Sequence, residues 1–153
     1  MSLKSSFLAV IALAAVSAAT VGTVATPEAQ RNWPEWRGPL GTGEAPLATP
    51  PKEWDGSKNV AWKIPIPGVG KSTPVIWNDL VVLTTAVPKD ASPEPELEWT
   101  VLAYGRKDGA LRWKRIVKTA KPHEGHHKDG TFASGSALTD GKRIYAFMGS
   151  RGL

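Results

Sequence analysis

The stretch Ala103 to Trp113 reads A-Y-G-R-K-D-G-A-L-R-W and forces the chain to reverse direction. Val101 and Ala103 end an apolar run, Asp108-Gly109 marks a turn, and Leu111 and Trp113 resume the apolar pattern. Asp-Gly suits a two-residue hairpin, because both central positions can require positive φ, which Gly tolerates freely and Asp better than most residues. The expectation is a strand, a tight reversal at Asp108-Gly109 and a return strand. On that return strand Trp113 would cover the seam to a neighbouring sheet, its N–H held by a polar partner.

The rest of the chain reads as more of the same. Gly (15), Pro (13) and Trp (7) are plentiful, which favours many short strands joined by turns. Residues 59–64 alternate apolar and polar and read as a strand ended by Pro65 and Pro67. Residues 72–77 and 80–85 read as two strands joined at Asn78-Asp79, their β-branched content suiting burial on both faces. Val87 to Glu96 is a proline-rich, acidic loop. Residues 97–104 and 111–118 are the third and fourth strands, the last one charged. Residues 136–147 then repeat the pattern of 74–84, with one extra residue at the turn and Asp140-Gly141 at the tip. Four antiparallel strands in hairpin succession are the unit of a β-propeller.

The spacing Ala103, Gly109, Trp113 resembles the tryptophan-docking repeat of the quinoprotein (PQQ-like) β-propellers, A-x-D-x-x-T-G-x-x-x-W, with Gly105 in place of Asp and Asp108 in place of Thr. Trp33-Pro-Glu-Trp-Arg-Gly-Pro39 is similar to the leader of many exported members. The resemblance implies an all-β chain, a partial β-propeller of four-stranded antiparallel blades preceded by a signal-peptide helix. It divides the chain into 1–25, a signal peptide or membrane anchor; 26–57, a Trp/Pro-rich leader and linker; and 58–153, a partial propeller. Within the last, 72–118 is one full blade and 132–153 starts the next. Trp62 would lie on an outer strand donated from the N-terminal side. Trp33 and Trp36 read as a plug against the domain surface, with stacking on a ligand as the alternative. Ring closure takes at least about four blades, so the expectation is a piece of a longer protein.

Lys4, the apolar run 7–16 and Ser17-Ala-Ala19 have the layout of a secretory signal, with cleavage after Ala19 or Ala25. An uncleaved anchor is the alternative. The expected location is periplasmic or secreted, or else inner-membrane anchored, with membrane contact only through that segment. With no Cys there is no disulfide, no thiolate metal site and no Cys nucleophile. The net charge of +5 gathers between Arg106 and Lys121, where Asp108 is the single acid. It reads as a solvated outer strand that resists edge pairing, not as a nucleic-acid footprint.

All three histidines fall in Pro122-His-Glu-Gly-His-His-Lys-Asp-Gly130. Trp113 to Ala137 is about 11 residues longer than the matching interval Trp62 to Val75, so this loop is an insertion. His123, His126 and His127, with Glu124 and Asp129, offer imidazole and carboxylate donors suited to a transition metal. They equally suit hydrogen bonds within a loop. No catalytic residue is assigned. Three functions compete: a non-catalytic scaffold for protein or peptide partners in the cell envelope; a quinoprotein dehydrogenase using PQQ and calcium; and a metal- or sugar-binding module built on the histidine loop. The resemblance is compatible with PQQ and calcium, yet the vicinal Cys pair of several such dehydrogenases has no counterpart here, and neither do their calcium ligands and catalytic Asp.

Overall fold

A computed structural model describes residues 25–152. The stretch 1–25, read from the sequence as a signal peptide or membrane anchor, lies almost entirely outside the described residues. Among those described, the chain is mostly sheet with almost no helix: a single turn, α1 (Pro27–Gln30), and a 3-10 turn at Gly149–Arg151. No described helix is long and apolar enough to cross a membrane.

Four strands form one antiparallel sheet in sequential order: β1 (Val75–Trp77), β2 (Leu80–Pro88), β3 (Leu97–Gly105) and β4 (Leu111–Ala120). A separate hairpin follows, β5 (Leu138–Thr139) with β6 (Ile144–Tyr145). The register pairs Val75 with Val82, Val82 with Ala103, and Ala103 with Trp113. Residues directly opposite share a face. One face therefore carries Val75, Val82, Ala86, Trp99, Val101 and Ala103, and against it pack Ala133, Ala137 and Met148 from the chain that follows β4. Trp99 is 2% exposed, and its indole N–H donates to the Phe132 carbonyl at 2.7 Å. The buried threonines of β2 are satisfied likewise: Thr84 donates to the Gly135 carbonyl and Thr85 to the Pro67 carbonyl. These bonds let polar side chains sit in a core that would otherwise reject them.

The turns differ from the sequence expectation in length. Asn78-Asp79 is the expected two-residue link, with Asn78 at φ 51°. The Asp108-Gly109 corner is not a two-residue hairpin: residues 106–110 all lie outside the strands. Gly109 alone takes positive φ (66°) there, and Asp108 instead accepts from the Ala110 N–H and the Arg112 guanidinium. The β5–β6 link has four residues, 140–143, because Asp140 accepts from the backbone N–H groups of both Lys142 and Arg143. Residues 59–64 form no strand. Pro65 and Pro67 remove donors, and what holds this segment is the Trp62 ring. The inner strand is also shorter than expected, 75–77, because the Ser72 hydroxyl occupies the Thr84 backbone N–H; pairing resumes at Val69 with Ala86.

Hydrogen bonds hold the carboxyls of Asp108 and Asp140 below the ordinary value of 3.8, from the Ala110 N–H first and Arg112 second for Asp108, and from the Arg143 and Lys142 N–H groups for Asp140. A depressed folded value means stability that is complete above the unfolded value and is lost as pH falls through the folded one. The difference in urea midpoint between the native chain and an Asp108→Ala/Asp140→Ala variant is expected to be full at neutral pH and to shrink as pH falls below the ordinary carboxylate range. An unchanging difference would show that neither carboxylate fastens its turn.

Candidate functional site

In an antiparallel sheet of sequential strands, alternate connections fall at the same end. The turns 78–79 and 106–110 lie at one end. The loop after β2 and the histidine loop after β4 lie at the other, and between them runs a groove of about 780 Å³. Pro93 and Pro95 form one wall and Pro122 and His123 the other; Leu97 and Phe132 contribute its apolar surface. Lys71, Lys121 and Lys128 set three cations against Glu94 and Glu124.

Both walls are fastened. The Lys89 ammonium donates to the Glu96 carboxylate at 2.9 Å and clamps the base of the first loop, which raises the affinity of Lys89 for its proton. The second loop is tied by the Lys71 ammonium to the Asp129 carbonyl at 2.8 Å and by the Trp99 indole to Phe132. Prolines stiffen what remains. A groove with fastened walls loses little entropy when it is filled.

The three imidazoles do not converge. The Nδ1 of His126 donates to the His127 carbonyl at 2.8 Å, and its ring meets Phe132 edge-on at 4.7 Å between centroids. The Nδ1 of His127 accepts from the Asp129 N–H at 3.2 Å, so its lone pair is engaged. The Nε2 of His123 lies 3.7 Å from the Glu124 carboxylate. Among the described residues no group of three or more His, Cys, Asp or Glu side chains is arranged to hold a metal ion. His123 and His126 face the groove as hydrogen-bonding groups beside apolar surface.

Ala103, Gly109 and Trp113, read from the sequence as a repeat motif, flank a corner. Ala103 is fully buried opposite Trp113, and Gly109 is buried beneath an indole. That indole belongs to Trp62, not Trp113. A methyl group at Gly109 would sit 2.8 Å from the Trp62 ring, whose N–H donates to the Arg106 carbonyl at 2.9 Å. Trp113 is 36% exposed and lines a trough of about 480 Å³ with Val101, Val117, Ile144 and Ala146, between the sheet and the second hairpin. The leader divides as well. Trp33 pairs through its backbone with Ile76 on the free edge of β1, and the Pro34 carbonyl accepts from Thr139, joining the two sheets. Trp36, expected to plug the surface beside it, is 63% exposed under the Arg37 guanidinium.

The groove residues Lys71, Lys121, Lys128 and Phe132 were not singled out by the sequence. The available signal was the alternation of loop ends, which places the two longest connections between strands side by side. No protein-family model, curated protein or solved structure matches the chain.

Proposed function

We propose that this chain is an exported, non-catalytic binding module of the PQQ-like β-propeller type, and that it holds protein or peptide partners of the cell envelope in the groove between residues 88–97 and 121–132. The observation that carries the binding role is the groove itself: two fastened loops, apolar surface on Phe132 and Leu97, and a rim of lysines. Prolines and an aromatic ring accept an extended chain without demanding one side-chain shape, and the lysines reach its carbonyls or carboxylates. The propeller architecture is supported by Trp62 docked on the Gly109 corner. Trp113 adds to that support by lining the trough between this sheet and the second hairpin.

Selection from a displayed library of extended peptides tests the binding role. Glu94→Trp places an indole in the groove from an exposed loop and leaves the sheet untouched. Peptides enriched on the native chain are expected to bind this variant at least about tenfold more weakly in calorimetry. Equal binding would remove the groove from the reading. Dye reduction on adding PQQ and calcium would replace it with the dehydrogenase.

A further inference from the structure

β4 is the outermost strand, and no described strand lies along its far edge. Residues 111–119 are exposed along their whole length. An edge of this length presents unpaired N–H and C=O groups, a template for another strand. The ladder to β3 skips Arg112 and Val117, so bulges bracket a regular run from Trp113 to Ile116. Bulges limit pairing to that short run and fix its register.

The charges decide what can pair there. Arg112 is engaged by Asp108 at 2.7 Å, and Lys114 lies 3.5 Å from Glu98. Arg115 and Lys118 form no ion pair among the described residues. A second copy of the strand, laid edge to edge, would set cations against cations, which is repulsive. An acidic strand reverses the sign of every one of those terms. Trp113 and Ile116, both partly exposed, add apolar surface for its alternate side chains. The same charges that block self-association thus select a partner of opposite charge.

We infer that the edge of β4 from Trp113 to Ile116 accepts an extended acidic segment of a partner protein by strand addition. This surface lies apart from the groove, so either can fail without the other.

The probe is a blocked, fluorescent hexapeptide alternating glutamate and valine, titrated against the 153-residue chain by anisotropy. It is expected to bind at least about tenfold more tightly than its lysine–valine counterpart. N-methylation of alternate amides removes donors without changing charge, and is expected to weaken binding by about tenfold or more. Arg115→Glu/Lys118→Glu is expected to weaken it similarly, with circular dichroism confirming the sheet. Three results would overturn the inference: no binding, equal binding of the N-methylated peptide, or equal competition by single-stranded DNA. The last two would make the strand a cationic surface without backbone pairing.

Discussion

Trp99→Ala is expected to lower the unfolding free energy by about 3–5 kcal/mol, the range for removing a large aromatic side chain from a core. Three features place this residue at the upper end. Its ring is almost wholly enclosed on the face that receives the following chain segment. It meets Phe132 edge-on, with centroids 6.3 Å apart. Its N–H also satisfies the Phe132 carbonyl, which the alanine variant would leave without that donor. The loss extends beyond stability, because Phe132 forms part of the groove and loses both contacts together. Trp99→Phe separates the contributions. It keeps most of the buried area and removes the donor, so a smaller cost of about 1–2 kcal/mol is expected. Urea unfolding with an unchanged slope is the measurement. A cost for Trp99→Ala below about 1 kcal/mol would show that this ring does not hold the sheet to the segment after β4.

Apolar and β-branched runs bounded by turn signals located the four strands, because the central strands bury side chains on both faces and leave continuous apolar stretches, β3 being buried along almost its whole length. Period-two patterning failed at residues 59–64. Their alternation serves one indole anchor instead of a ladder, and periodicity cannot tell the two apart. Turn chemistry marked where each reversal falls but not how many residues it takes, since Asp108 and Asp140 bond to backbone groups further along and lengthen the loop. The leader showed the same limit. Trp33 and Trp36 look equivalent in sequence, and the backbone pairing with Ile76 separates the half-buried Trp33 from the exposed Trp36. The histidine loop was legible as a long connection after the last charged strand. Which nitrogen bonds which carbonyl depends on local backbone geometry that residue identities do not encode. Trp113 was read as covering the seam to a neighbouring sheet, and it lines the trough beside the second hairpin; the ring on Gly109 is Trp62, a long-range contact that a local motif does not specify.

Gly109→Ala and Trp62→Ala are expected to be strongly coupled. At φ 66° an alanine carries a backbone cost of about 1–2 kcal/mol whatever surrounds it. Its methyl group would also press into the Trp62 ring at 2.8 Å, closer than carbon atoms pack, so the ring must lift and its bond to the Arg106 carbonyl must break. The single variant Gly109→Ala should therefore cost about 2–4 kcal/mol, the backbone term plus the lost docking. In a Trp62→Ala background the methyl group meets no ring, and the same change should cost only the backbone term. The resulting coupling, about 1–2 kcal/mol, isolates the indole-on-glycine contact from the strain of the turn. Additive costs in urea unfolding would mean that the ring does not bear on the corner in solution, and the support that Trp62 lends to stacked sheets would be withdrawn. A coupling of the expected size would show that a glycine in this corner is required by its neighbour as well as by its own φ. That double requirement, from the backbone at Gly109 and from the ring above it, is what separates this corner from a turn whose glycine answers to φ alone.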